Sequence, residues 1–141
     1  MARRRSIVDH IAVVPMFYAC SRRELQAVSR LATELDVPAG KVLIQEGKPG
    51  QEFMIVLEGT AVATRGRKKL ATFGPGDYFG EIALLDPGLR TATVVAETPM
   101  SLAVVGQREF GDILEQVPAL ANKIMRGLAR RLREVDRIDV L

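Results

Sequence analysis

Residues 74–94 read GPGDYFGEIALLDPGLRTATV, and the rest of the chain is understood from them. Gly74, Pro75, Gly76 and Asp77 set a tight turn, fixed by two glycines and a proline. Tyr78 and Phe79 lead into residues 80–85, long enough for one short helix, which Asp86-Pro87-Gly88 ends. Residues 89–94 resume in a β-branched, strand-like run. A glycine-bounded helix between strands leaves backbone N–H groups free at its N-terminus, where an anion is favoured. Arg90, one loop later, offers a fixed fork of donors suited to a phosphate. Glu81 is an acceptor that suits a sugar hydroxyl. Anion cradle, guanidinium and hydroxyl acceptor together suit a phosphorylated ribose.

Two segments carry a resemblance. Phe79-Gly80-Glu81-Ile82-Ala83-Leu84-Leu85 and Arg90-Thr91-Ala92-Thr93-Val94 match F-G-E-[IL]-A-L-L and R-[STA]-A-[ST]-V without a gap. The stretch resembles the phosphate-binding cassette of the cyclic-nucleotide-binding domain family, the domain of the catabolite activator protein, protein kinase A regulatory subunits and cyclic-nucleotide-gated channels. The similarity runs from about residue 11 to about residue 133. It implies that Arg90 holds the charge of a cyclic phosphate and Glu81 the ribose 2′-hydroxyl. It also implies that Gly80 and Ala83 let backbone approach the sugar and phosphate, with Ile82 and Ala92 completing the ligand-binding set. The resemblance further implies that the hydroxyl of Thr91 touches the phosphate or a guanine amino group. A long C-terminal helix is implied to fold over the purine as a lid, with Leu128, Arg131 or Leu132 near the base.

The chain outside the cassette has its own patterns. Residues 1–5 read as a loose basic tail, and residues 6–14 as a helix ending at Pro15. Pro15-Met16-Phe17 resembles the corner that follows the first helix in the family. Ser21-Arg22-Arg23-Glu24 has the form of a capping box and opens a helix with Leu25, Val28, Leu31 and Ala32 on one face. From residue 35 the texture changes to short strands at 41–45, 53–57, 60–64 and 70–73, parted by glycine- and proline-rich turns. Strands at 93–96 and 101–105 follow the cassette. Regular spacing of this kind predicts a roll or barrel. Residues 107–116 then read as a short helix, and Pro118 restarts a long amphipathic one through Leu120, Ile124, Leu128, Leu132 and Val135. The expected fold is therefore mainly β with flanking helices: a β jelly roll (double-stranded β-helix) with N-terminal helices, a short cassette helix and a long C-terminal lid helix. After a basic tail at 1–5 comes one domain over 6–138, with the roll at about 35–105 and the C-terminal helices at about 107–137.

Composition removes several classes of function. At 141 residues, 48% of them hydrophobic, the chain can bury the core of one domain. Its net charge of +3 says little about nucleic acid. No apolar run reaches the ~18 residues of a membrane span, and the basic start lacks the apolar segment of a signal peptide. A cytoplasmic protein is expected. One histidine, His10, and one cysteine, Cys20, cannot furnish a clustered metal site, which sets aside a cupin-like enzyme on a similar roll. No enzymatic activity and no cofactor are expected. The two C-terminal helices use almost all the residues after 105, leaving no room for a DNA-reading helix-turn-helix, so direct DNA binding is not expected. The basic residues of the long helix read as a solvated face and its apolar stripe as core or dimer seam. The expected function is a regulatory module that binds cAMP or cGMP and signals through its flanking helices to a regulated partner or a second subunit. The alternative is an effector-free scaffold or dimerisation module of the same fold.

Overall fold

Helical spacing governs the two ends of the chain and strand alternation its middle, and the computed structural model, which describes residues 2–80 and 88–136, follows that division. Helix α1 (Ala2–Ala12), a 3₁₀ turn (Pro15–Phe17) and α2 (Arg22–Leu31) come first. The strands are β1 (Thr33–Val37), β2 (Val42–Ile44), β3 (Pro49–Gly50), β4 (Glu52–Glu58), β5 (Ala61–Arg65), β6 (Lys68–Phe73), β7 (Tyr78–Phe79), β8 (Gly88–Leu89), β9 (Thr93–Ala96) and β10 (Met100–Gly106). Helices α3 (Gln107–Gln116) and α4 (Pro118–Asp136) end the described chain.

The strands form two four-stranded antiparallel sheets, ordered β1-β10-β4-β7 and β2-β9-β5-β6, and a two-stranded ladder β3-β8. The two larger sheets enclose one apolar cluster, with Met54, Val56 and Leu102 from the first facing Ile44, Ala61, Ala63 and Val94 from the second. This is the jelly roll expected from the strand spacing. The other face of the first sheet is covered by helices. Side chains alternate across a strand, so Phe53, Ile55 and Leu57 of β4 turn away from the roll and join Ile11, Phe17, Val28, Phe110, Leu120 and Ile124. One sheet therefore separates two cores.

Local signals account for the helix boundaries. Ser21 Oγ accepts from the Glu24 N–H at 3.2 Å while Glu24 Oε1 accepts from the Ser21 N–H at 2.8 Å, closing the capping box of α2. Gly106 and Pro118 mark where α3 and α4 begin, as their positions in the sequence suggest.

Four details differ from expectation. Helix α1 begins at Ala2, so the stretch expected to be a basic tail enters the helix; alanine and arginine are strong helix formers. It stops at Ala12, and a 3₁₀ turn takes the chain through Pro15. Strand β1 begins at Thr33, ahead of residue 35, although four of its five residues are exposed. Pairing with β10 along its whole length, rather than apolar alternation, makes it a strand. Finally, the strand-like run at 89–94 is broken. Leu89 pairs with Pro49 in the small ladder, whereas Thr93 pairs with Thr64 in the second sheet, and residues 90–92 turn between the two. The cassette helix expected at 80–85 falls largely on residues 81–87, which lie outside the described residues.

Candidate functional site

The β3-β8 ladder brings together two segments about forty residues apart. Gly50 lies opposite Gly88 and Pro49 opposite Leu89. The Arg90 N–H donates to the Lys48 carbonyl and the Gly47 N–H donates to the Arg90 carbonyl, both at 2.8 Å. The backbone of Arg90 is thus clamped on both sides before its side chain does anything.

That side chain is only 10% exposed. Its Nη2 donates to the Glu52 carbonyl at 2.7 Å, and the same nitrogen lies 3.9 Å from Glu52 Oε1. Two glycines make the room. A Cβ added at Gly50 would collide with Arg90 Nε and lie 2.6 Å from Cζ, so the guanidinium crosses a position only glycine leaves open. A Cβ at Gly80 would lie 2.8 Å from the Glu52 carbonyl and 3.2 Å from Arg90 Nη1. Gly80 also has φ of +82°, a region side chains disfavour. Burial pulls the Arg90 guanidinium below its ordinary value, and the nearby Glu52 charge pulls it back. It stays cationic at physiological pH. A desolvated, oriented cation of this kind binds an anion more strongly than an exposed one does.

Of the residues singled out in the sequence, Gly80 and Arg90 come together here. Thr91 is exposed, and its carbonyl accepts from Arg65 Nε at 2.8 Å. Ala92 is half-buried just ahead of β9. Glu81, Ile82 and Ala83 lie outside the described residues. Leu128, Arg131 and Leu132 fall in the second half of α4, and their side chains lie outside what is described. Gly50 and Glu52 escaped the sequence reading. Lys48-Pro49-Gly50 is one of the glycine- and proline-rich turn signals in the sequence, and the ladder sets Gly50 against the Arg90 guanidinium.

The first half of α4 is fixed to the N-terminal helices. Leu120 and Ile124 are fully buried in the helix-side core. Lys123 Nζ lies 2.8 Å from Glu24 Oε1, the oxygen that also closes the α2 cap. Gly127 meets the 3₁₀ turn so closely that a Cβ there would lie 2.6 Å from Met16 Cα. Cys20 sits nearby as a neutral thiol: burial, then the Glu24 charge, push it up to about 11 against the opposing pull of Lys123.

Comparison with known proteins identifies the family and the fold. The sequence model of the family described as "Cyclic nucleotide-binding domain" matches residues 34–117, more than half of the chain. The cAMP-dependent protein kinase regulatory subunit of Hypocrea atroviridis is 31% identical, over 86% of this chain and 26% of its own length. The cyclic AMP receptor protein of Thermus thermophilus is 32% identical, over 90% of this chain and 62% of its own. The chain thus spans about a quarter of the first relative and about six-tenths of the second. A crystal structure of the N-terminal domain of a transcriptional regulator from Streptomyces coelicolor A3(2) superposes with a TM-score of 0.85 at 33% identity, covering 92% of this chain and 96% of that one. No helix among the described residues is long and apolar enough to cross a membrane.

Proposed function

Since the chain belongs to the cyclic nucleotide-binding domain family, we propose that it is a single-domain regulatory module over residues 6–138 that binds cAMP or cGMP. Arg90 takes the cyclic phosphate and Glu81 the ribose 2′-hydroxyl. Gly80, Ile82, Ala83, Thr91 and Ala92 shape the pocket around them, and Leu128, Arg131 or Leu132 cover the base. The observation that carries this reading is the guanidinium of Arg90, 10% exposed and laid across Gly50 with its backbone clamped to residues 47 and 48. A surface arginine kept for solubility needs no such seat. The same seat argues against an effector-free scaffold, which has no use for a desolvated cation.

The protein acts by binding and not by catalysis, with no cofactor besides the nucleotide, in the cytoplasm. Ligand favours one arrangement of the flanking helices, and that differential affinity is what can do work. The change is read by a regulated partner protein or a second copy of the chain, without direct contact to DNA. Calorimetric titration of nucleotide-stripped protein with cAMP and cGMP tests the reading. Saturable one-to-one binding of either is expected, weakened with the 2′-deoxy analogue. No heat with any of the three, on protein verified as stripped and folded, would sink it.

A further inference from the structure

Glu52 does two opposite things to Arg90. Its carbonyl oxygen orients the guanidinium through Nη2 at 2.7 Å. Its carboxylate, 3.9 Å from the same nitrogen, is the only carboxylate within salt-bridge distance of Arg90 among the described residues. The first contact belongs to the backbone and exists whatever side chain stands at position 52. The second places a negative charge beside a desolvated cation whose proposed ligand is also negative.

The carboxylate is not locked in place. Its side chain is 51% exposed, and Glu52 is one of the residues lining a cavity of about 290 Å³ that Gly106, Arg108 and Glu109 also line. Released from Arg90, the half-exposed carboxylate can turn to solvent. Displacing it is therefore cheap, though not free.

We propose that the Glu52 carboxylate is an electrostatic latch on Arg90: it occupies the guanidinium in the empty state and must yield when the phosphate of a cyclic nucleotide arrives, setting the affinity of the site below its ceiling. The inference rests on the reading of Arg90 as the phosphate ligand. Glu52 is a positioning residue here, acting on the nucleotide through Arg90. Its backbone prepares the site and its side chain holds the site back. Because the carboxylate is half-exposed, the restraint is that of a screened ion pair, about two- to five-fold in affinity.

The test is a cycle of titrations with cAMP and cGMP on the full chain. Glu52→Gln keeps the backbone carbonyl and the side-chain shape but loses the charge, and binding should tighten about two- to five-fold at low salt. The gain should shrink at high salt, where the pair is screened. Glu52→Asp keeps a charge and should stay closer to wild type than Glu52→Gln. In an Arg90→Ala background, Glu52→Gln should bring no gain. A Glu52→Gln protein that binds no tighter overturns the latch, as does a gain that persists undiminished without Arg90. Those results leave the phosphate role of Arg90 standing. A wild-type protein that takes neither nucleotide overturns that role and the latch with it.

Discussion

The two faces of the β1-β10-β4-β7 sheet are built from different materials. Toward the helices it packs large side chains, with Phe17 and Phe53 ring centroids 6.2 Å apart and Phe17 and Phe110 6.3 Å apart. Toward the roll it also buries Phe79, whose ring centroid lies 5.0 Å from that of Phe73, but the facing strands contribute several small side chains, Ala61, Ala63 and Ala96. The helix side is a broad, interlocked contact between elements far apart in sequence. On the roll side, Arg90 lies in the turn between the small ladder and the second sheet. The proposed function puts binding on one face and the response on the other, with a single sheet between them.

Neighbouring residues on β4 offer the sharpest way to break that contrast. Phe53→Ala should cost about 3–5 kcal/mol, since it removes a fully buried ring from the helix-side core. Val56→Ala, facing the roll, should cost less, about 1–3 kcal/mol. Urea midpoints at constant slope measure both. Equal losses would mean that the roll-side core holds its side chains as tightly as the helix-side one and that the contrast has no energetic content.

Next in size is Arg90→Ala. Nucleotide affinity should fall by about 2–5 kcal/mol, as when one partner of a buried charge pair is removed, while the thermal midpoint stays near wild type. Arg90→Lys should recover only part, because the fork geometry is lost. Binding within about threefold of wild type, under ~1 kcal/mol, would take Arg90 out of the phosphate role. Gly50→Ala gives the same test by geometry alone, since its Cβ would occupy the ground of Arg90 Nε and Cζ.

How far the sequence could be read follows from where each signal sits. Ser21 and Glu24 are three residues apart, and the cap they announce is present with both bonds. Residues 107–116 form a helix with the bounds that Gly106 and Pro118 suggest. These features are local. The seat of Arg90 is not. Its floor, Gly50, and its acceptor, Glu52, are brought to it by a two-residue ladder with no apolar pattern of its own. Strand β1, where the sequence shows no strand pattern, is hidden for a related reason, since its exposed side chains carry no alternation and its partner is β10.

The long helix packs on the helix side, and a prediction of intermediate size tests whether its second half also covers the nucleotide. Its first half is anchored by Leu120, Ile124 and the close approach of Gly127 to the 3₁₀ turn. Truncation before Leu128 keeps that anchor and removes only the proposed cover of the base. Affinity should fall about tenfold, ~1.4 kcal/mol, with the fold intact. In the full chain, saturating nucleotide should slow hydrogen exchange beyond residue 128 more than before it. Intact affinity after truncation would make the second half of α4 a bystander to binding.

The smallest effect belongs to the ion pair that ties α4 to α2. Lys123 and Glu24 meet at 2.8 Å with side chains 36% and 15% exposed, so Glu24→Gln, which can still close the cap, should cost only about 0.2–1 kcal/mol. The pair should be clearer in its pH dependence. The hydrogen bond from Lys123, then that from the Ser21 backbone, hold the Glu24 carboxyl below its ordinary value, while burial opposes them. A carboxyl depressed in the folded state adds stability that is complete above its unfolded value, ~4.3, and disappears as pH falls through the lower folded one. Lys123→Met removes the leading cause and keeps an apolar stem, so the acid limb of the stability curve should flatten relative to wild type. Should the limb keep its shape, Glu24 is held by its own helix cap alone. The link between the N-terminal helices and α4 would then be apolar, carried by Leu120, Ile124 and Gly127, and no charge would fix the register in which they move.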